Sequence, residues 1–347
     1  MARSNAKRIN LALQGGGAHG AVTWGVIDRL LQDERLEFDS ISGTSAGAVN
    51  AVSLAYGLHL DGRDGARKKL EEVWRAVANA GSLYSPIPRM PWSLTNNLAE
   101  IGNSVSQLMF DTFTRALSPY QFNPFDINPL KDILKRCIDF DELRECKRAK
   151  LYISATNVRS GKVHVFRTAD VSIDAVLASA CLPFLFQAVE VDGEHYWDGG
   201  YMGNPVLFPF FYESESQDIV IVHVNPLTRE KLPESASDIM DRVNEISFNA
   251  ALLGELRAIG FVHKLLGHGW LKDEYRDRLK NIRIHSVRSD EALQEMSAAS
   301  KFNVDWSFLT DLKERGAKIA EAWIAANYEA LGNNSSVNIR ELYDGNE

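Results

Sequence analysis

The sequence predicts an α/β fold in which a mostly parallel central sheet is covered by helices on both faces. Segments dense in Ile, Val and Leu, such as RINLAL at 8–13 and DIVIVHV at 218–224, are typical of strands buried on both faces. These segments alternate with stretches of helical periodicity, and such alternation favours parallel pairing of the strands. A chain of 347 residues is long enough for one large domain or two ordinary ones.

Predicted strands and helices follow one another along most of the chain. Strands are predicted at residues 9–13, 38–42, 151–156, 162–167, 187–191, 218–224 and 281–287. Helices are predicted at residues 18–31, 45–58, 65–80, 173–180, 237–266 and 306–330. The Asp192-Gly193 pair separates the short runs FQAVEV and EHYW, and this pattern indicates a hairpin turn.

Two regions interrupt the alternation of strands and helices. Residues 82–129 are rich in Pro, Asn, Ser and aromatic residues, and a loop-rich insertion of this length is usually functional or disordered. Its aromatic content argues against disorder, so we expect a cap over the edge of the sheet. The C-terminal third, residues 227–347, is predominantly helical, and we expect it to pack on the sheet or on a partner.

Composition and charge exclude several classes of protein. The formal net charge is −8 and no block of Lys and Arg stands out, which argues against non-specific binding of nucleic acid. Cys137, Cys146 and Cys181 form no C-x-x-C pair and are expected to be buried in a reducing compartment. The apolar run 9–13 is too short for a signal peptide, and polar residues interrupt the uncharged stretch 40–60. We therefore expect a cytoplasmic protein with at most transient membrane contact.

A glycine-rich loop, residues 15–20 (GGGAHG), joins the first predicted strand to the first helix and is called the glycine loop below. The first N–H groups of a helix attract negative charge because they lack intrahelical acceptors. The pattern G-x-G-x-x-G is also a dinucleotide fingerprint, which expects an acidic residue at the end of the second strand. Here Glu37 and Asp39 lie at the start of that strand. A pyrophosphate site, an oxyanion site and a plain tight turn therefore all stay open.

The second motif is GTSAG at residues 43–47, between a predicted strand and a predicted helix. G-x-S-x-G in this context is the nucleophile-elbow pattern, in which small flanking residues let the chain turn sharply and expose the serine hydroxyl. A helix N-cap is the alternative role for Ser45. The context of strand, serine and small-residue helix favours a nucleophile.

An activated serine needs a base, and histidine is the usual one. His223 and His285 lie in strand-like segments, and His263 and His268 are spaced five apart on a predicted long helix. Only His285 is a passable candidate for a Ser-His-Asp arrangement. The sequence therefore supplies no convincing histidine base.

The third motif is Asp198-Gly199-Gly200, within HYWDGGYMGNP. Aspartate followed by two glycines is commonly just a turn. Aromatic neighbours, among them Trp197 and Tyr201, predict an apolar environment, and poor solvation makes a carboxylate more basic. Asp198 is therefore a candidate base as well as a turn residue.

The three motifs, in this order along residues 9–226, resemble the patatin-like phospholipases, a family that uses a Ser–Asp dyad and no catalytic histidine. The resemblance implies that Ser45 is the nucleophile and Asp198 the general base. It also implies an α/β/α sandwich, with a catalytic domain at 8–226 that includes the cap at 82–129. Residues 227–347 would be a helical extension packed on the same domain.

The resemblance assigns the remaining motif residues as well. The backbone N–H groups of the glycine loop form the oxyanion hole, for which the candidates are Gly15, Gly16, Gly17 and Ala18. The other motif glycines are Gly20, Gly43, Gly47, Gly199 and Gly200. The family commonly has Arg or Lys where this chain has His19, so we expect His19 to influence specificity.

The implied activity is hydrolysis of a lipid carboxylic ester, from a phospholipid or a lysophospholipid, through an acyl-serine intermediate. No metal or other cofactor is expected, because the chain has no H-E-x-x-H, clustered Cys/His or EF-hand pattern. The open alternatives are a Ser-His-Asp carboxylesterase or thioesterase, a polyester-oligomer hydrolase, a nucleotide-binding oxidoreductase and a non-catalytic lipid-binding protein. Homo-oligomerisation also stays open.

Overall fold

A computed structural model of the protein describes residues 6–84, 117–268, 270–272, 275, 278–293, 296 and 298–344. The predicted cap at 82–129 lies for the most part outside these residues. The central sheet of the described chain has eight strands. They are β1 (Lys7–Leu13), β2 (Leu36–Gly43), β3 (Lys150–Asn157), β4 (Val163–Arg167), β5 (Val189–Val191), β6 (Glu194–Asp198), β7 (Asp218–His223) and β8 (Arg283–Arg288).

The order of strands across the sheet is β5-β6-β3-β2-β1-β7-β8, and β4 also pairs with β3. The pairs β1–β2, β2–β3, β1–β7 and β7–β8 are parallel, whereas β4, β5 and β6 pair antiparallel. The predicted hairpin is confirmed as β5 and β6. The predicted α/β class with a mostly parallel sheet is confirmed too.

Helices of the described chain cover both faces of the sheet. They are α1 (Gly20–Leu31), α2 (Ala46–Tyr84), α3 (Pro119–Phe122), α4 (Pro129–Cys137), α5 (Phe140–Arg144), α6 (Ile173–Ser179), α7 (Phe208–Glu213), α8 (Ala236–Gly267), α9 (Asp290–Leu293), α10 (Trp306–Asn327) and α11 (Ile339–Tyr343). α2 is kinked at Asp61 and Gly62, which separates the two helices predicted at 45–58 and 65–80. In the described ranges no helix is both long and apolar enough to cross a bilayer.

The side chains of the central strands alternate between two cores, because successive residues of a strand point to opposite faces. Val220 and Val222 pack into one core with α1, α2, α4, α6 and α10. Ile219 and Ile221 pack into the other core with α7, α8 and α11. The sheet is therefore the middle of three layers, and elements after residue 227 contribute to all three.

The carboxyl ends of the parallel strands bring the three sequence motifs to one edge of the sheet. Leu13 ends β1 and pairs with Gly43 at the end of β2 and with Val222 near the end of β7. β6 runs in the opposite direction, and its last residue, Asp198, pairs with Ala155 of β3. Gly43 pairs with Ile153 of β3, which is two positions before Ala155. Asp198, the partner of Ala155, therefore lies at the height of the segment that directly follows Gly43.

Candidate active site

Ser45 occupies a strained backbone position between β2 and α2. Its φ angle is 55°, a left-handed value that is uncommon for a residue with a side chain and that clusters at functional sites. The turn is tight because α2 begins against β1. A Cβ on Gly47 would lie 2.2 Å from the carbonyl oxygen of Leu13, so only glycine fits there. The Ser45 N–H donates to Ser179 Oγ at 2.9 Å, and this hydrogen bond holds the turn from the end of α6.

Asp198 is fixed by its backbone and by its side chain. Its N–H donates to the carbonyl of Cys181 at 2.8 Å, and its carbonyl accepts from Thr156 Oγ1 at 2.8 Å. The carboxylate accepts the Gly200 N–H at 2.7 Å, and the Ser45 side chain lies close enough to it to lower its pKa. The aspartate is 2% exposed. Ser45 and Asp198, 153 positions apart in the sequence, are therefore brought together.

Burial dominates the electrostatics of Asp198. It raises the pKa of the carboxyl to about 7, although the hydrogen bond from Gly200 and the nearby Ser45 side chain act in the opposite direction. Burial and the nearby Asp198 charge also raise the pKa of Tyr201 to about 12. A carboxylate whose pKa is close to neutrality and that lies beside a serine hydroxyl is suited to accept the hydroxyl proton.

The glycine loop packs directly on Ser45. A Cβ on Gly15 would lie 2.7 Å from the Cβ of Ser45. The Gly15 N–H donates to Asn204 Oδ1 at 2.7 Å and is therefore already paired. Within the described ranges, the N–H groups of Gly16 and Gly17 have no acceptor. Gly17 has a φ of 58° and begins the 3-10 turn Gly17–His19 that leads into α1.

A buried amide, which the sequence analysis missed, connects this loop to the rest of the site. Gln14 Oε1 accepts the N–H groups of Val224 and Asn225 at 2.9 and 3.0 Å. Gln14 Nε2 donates to the Asn204 carbonyl at 3.2 Å and to Asn249 Oδ1 at 3.0 Å. All of these groups are buried, so their hydrogen bonds fix the loops at this edge relative to one another. Nothing in the sequence distinguishes these amides from ordinary turn residues.

His19, the loop residue expected to influence specificity, is buried. It is 3% exposed, and its Nε2 lies 2.7 Å from Ser300 Oγ. Burial, together with the charges of Lys301 and Arg229, lowers the pKa of His19 to about 3. The imidazole is therefore neutral near pH 7 and carries no positive charge toward the loop.

His285 is paired with a carboxylate, but at the wrong end of the sheet for Ser45. Its Nε2 lies 3.0 Å from Asp218 Oδ1. Asp218 begins β7, four residues before Val222, which is level with the end of β1. His285 pairs with Val220 of β7, and β8 is three strands away from β2, so at about 4.8 Å per strand the imidazole lies on the order of 14 Å from Ser45. Hydrogen bonds from Arg283 and His285 outweigh burial and hold the pKa of Asp218 below its usual range. This geometry excludes His285 as the base for Ser45.

The acidic residue that a dinucleotide site would need is engaged elsewhere. Asp39 is buried, and its Oδ2 accepts the N–H groups of Glu215 and Ser216 at 2.7 and 3.0 Å. This carboxylate also accepts the Ser214 hydroxyl. It therefore stabilises the turn before β7 and is not available to bind a ribose.

Comparisons with known proteins agree with the motifs. The family model for patatin-like phospholipases matches residues 11–211, more than half of the chain. The cGAMP-activated phospholipase of Vibrio cholerae serotype O1 is 25% identical over 353 residues, which cover 89% of each chain.

Two solved structures have weaker similarity. VipD from Legionella pneumophila is 16% identical with a TM-score of 0.42, over 92% of this chain and 67% of that chain. ExoU, in its complex with SpcU from the type III secretion system of Pseudomonas aeruginosa, is 18% identical with a TM-score of 0.31. That match covers 94% of this chain and 60% of the ExoU–SpcU chain, so this protein spans about two thirds or less of these solved chains.

Proposed function

The chain belongs to the patatin-like phospholipase family, and from that premise we propose that it hydrolyses lipid carboxylic esters with Ser45 as nucleophile and Asp198 as base. One observation carries the assignment of residues: the Ser45 side chain lies beside a buried carboxyl, that of Asp198, whose pKa burial raises to about 7. The strained φ of Ser45 supports it further, because such strain is kept where the surroundings impose it.

In the proposed reaction, Asp198 takes the proton of Ser45 Oγ while Oγ forms a bond to the acyl carbon. The tetrahedral intermediate collapses when the ester C–O bond breaks, and Asp198 passes the proton to the departing alkoxide. Water then attacks the acyl-serine, Asp198 takes a proton from that water, and the proton returns to Ser45 Oγ as the carboxylic acid leaves. Asp198 is therefore ionised when it accepts a proton from Ser45 or from water, and protonated when it donates that proton to the departing group.

The negative charge of the intermediate needs donors that are free in the resting enzyme. We assign this role to the N–H groups of Gly16 and Gly17, which lack acceptors in the described chain. The Gly15 N–H is left out of the assignment because Asn204 already accepts it. Ala18 stays a candidate for a further donor.

The proposed substrates are phospholipids and lysophospholipids. Support comes from the family and from the Vibrio relative, which is a phospholipase. That relative is activated by cGAMP, so we also propose that a cyclic dinucleotide stimulates this chain. Vesicle hydrolysis with and without added cGAMP tests this: stimulation supports it, and equal rates over a wide range of cGAMP refute it.

The test of the dyad is a panel of phospholipid, lysophospholipid, acylglycerol and thioester substrates. Wild type is compared with Ser45→Ala and Asp198→Asn, and with Ser53→Ala and Asp170→Asn as matched controls. Ser53 lies on α2 and donates to its own helix, and Asp170 is exposed. We expect both dyad variants to lose roughly 10³-fold or more in kcat, as single removals in a nucleophile–base unit do.

Labelling identifies the nucleophile directly. A fluorophosphonate should modify wild type at Ser45, as read by peptide mass spectrometry, and leave Ser45→Ala unmodified. Wild-type rates in both dyad variants would refute the dyad. Rapid hydrolysis of thioesters or acylglycerols with none of phospholipids would refute the substrate class alone.

A further inference from the structure

A lysine from the C-terminal third lies against the glycine loop. The 3-10 turn Ala298–Phe302, between β8 and α10, brings the Lys301 backbone to Gly17. A Cβ on Gly17 would lie 2.5 Å from the Lys301 carbonyl oxygen. The Lys301 ammonium donates to Asn225 Oδ1 at 3.0 Å. Neither Lys301 nor Asn225 belongs to the motifs that identify the family.

The Asn225 side chain links Lys301 to the glycine loop through a second hydrogen bond. Its Nδ2 donates to the Gly15 carbonyl at 2.7 Å, and the same peptide unit carries the N–H of Gly16. A hydrogen bond to a peptide carbonyl polarises the unit and strengthens its N–H as a donor, because chained hydrogen bonds are cooperative. The ammonium is therefore connected through one amide to a peptide whose N–H has no acceptor in the described chain.

The charges around Lys301 are identifiable. Burial lowers the pKa of Lys301, the carboxylates of Glu245 and Asp241 act against that shift, and Arg229 adds to it. Arg229 is itself ion-paired with Glu245. His19, on the other side of the turn, is neutral near pH 7. In the described chain, the Lys301 amine is the basic group that donates to Asn225, and through it reaches the hydrogen-bond network of the glycine loop.

We propose that Lys301 is a positioning residue that acts through Asn225 to polarise the Gly15–Gly16 peptide and so strengthens the Gly16 N–H as an oxyanion donor. This inference rests on the proposed function, because it matters only if an oxyanion forms beside Ser45. It makes the C-terminal third part of the catalytic apparatus. It also explains why a neutral His19 is tolerated in the loop.

The experiment compares Lys301→Met, Lys301→Arg and the control Lys313→Met. Lys313 lies on α10 over the Trp24 ring, so its removal tests the loss of a neighbouring lysine charge. The readouts are kcat and KM on the best ester, thermal stability, and affinity for two ketone analogues of the substrate. Ser45 Oγ adds to the carbonyl carbon of a trifluoromethyl ketone and forms an oxyanion, whereas the matching methyl ketone remains mostly a neutral carbonyl.

We expect Lys301→Met to lower kcat about tenfold with little change in KM, less than the ~10²–10³-fold cost of losing a direct donor. Affinity for the trifluoromethyl ketone should fall by a similar factor, and affinity for the methyl ketone should not change. Lys301→Arg should keep most of the activity and move the alkaline decline of kcat to higher pH, because guanidinium stays protonated. Lys313→Met should match wild type.

The outcomes separate this inference from the proposed function. If wild type hydrolyses no ester and a fluorophosphonate does not label Ser45, the proposed function fails and the inference with it. If wild type is active and Lys301→Met keeps its kcat and its affinity for the trifluoromethyl ketone, only the inference fails. Equal losses for both ketones, together with lower thermal stability, would show a structural role and also refute it.

Discussion

The charge of Asp198 should make the active site a source of instability at neutral and alkaline pH. The carboxyl is buried, and its pKa is raised from 3.8 to about 7. A carboxyl whose folded pKa exceeds its unfolded pKa favours folding only while it is protonated, so stability falls as pH rises from about 4 to about 7. Asp198→Asn removes this penalty, because an amide oxygen can still accept the Gly200 N–H without carrying charge.

The size of the effect follows from the shift in pKa. A rise of about three units corresponds to about 4 kcal/mol, at about 1.36 kcal/mol per unit. Unfolding entropy of about 2.1 cal/mol/K per residue is about 0.7 kcal/mol/K for this chain, so Asp198→Asn should raise Tm by about 6 °C at pH 8. At pH 4 the folded carboxyl is protonated and the unfolded carboxyl, with its pKa of 3.8, is only partly ionised, so little of the penalty remains and the two proteins should melt within about 1 °C of each other.

The assay is thermal unfolding of wild type, Asp198→Asn and Asp170→Asn, followed by circular dichroism from pH 4 to pH 9 at constant ionic strength. Asp170 is exposed, so its substitution should leave the pH dependence of Tm unchanged. A Tm difference for Asp198→Asn that does not vary with pH would contradict the argument. A lower Tm for Asp198→Asn than for wild type at pH 8 would contradict the argument more strongly, because it would mean that the ionised Asp198 carboxylate stabilises the fold.

Three further predictions follow from the same site. The kcat/KM of wild type should fall as pH drops below about 7, because Asp198 must be ionised to accept a proton; a flat profile down to pH 5 would contradict this. Ser179→Ala removes the acceptor of the part-buried Ser45 N–H and should lower the free energy of unfolding by about 0.5–1.5 kcal/mol and also lower kcat, measured by urea titration and ester turnover. Gly17→Ala places a Cβ against Lys301 at a positive φ, so fluorophosphonate labelling should slow sharply, and an unchanged labelling rate would show that the loop tolerates the side chain.

The middle of the central sheet could be predicted from the sequence because strands such as β1 and β7 are buried on both faces and therefore form nearly continuous apolar runs. Such runs predict the fold class, and all seven predicted strands are present in the structure. The short helices α3, α4, α5, α7, α9 and α11 were not predicted. α4 begins with Asn128 as N-cap and Pro129 in the first turn, a local start signal that the Pro- and Asn-rich surroundings concealed.

The candidate site could be predicted only as far as its motifs extend. The motifs pointed to Ser45 and Asp198, and the roles given to these residues stay predictions. The partners of the glycine loop, Asn204 and Asn225, could not be found, because their importance depends on which loops the sheet brings together. The environment of His19 could not be predicted for the same reason, since a sequence does not show that a histidine will be buried.

The contacts of Gln14 determine when during synthesis the active site can form. Its side chain bonds to Asn204 and Asn249, which are 190 and 235 positions away along the chain. The ribosome has therefore synthesised all three motifs before it adds Asn249, the last hydrogen-bond partner of the Gln14 amide. Because such distant contacts form late in folding, we expect nascent and prematurely terminated chains to be inactive toward esters. For an enzyme that attacks lipids, this order of assembly keeps the hydrolytic activity from appearing before Asn249 has been synthesised.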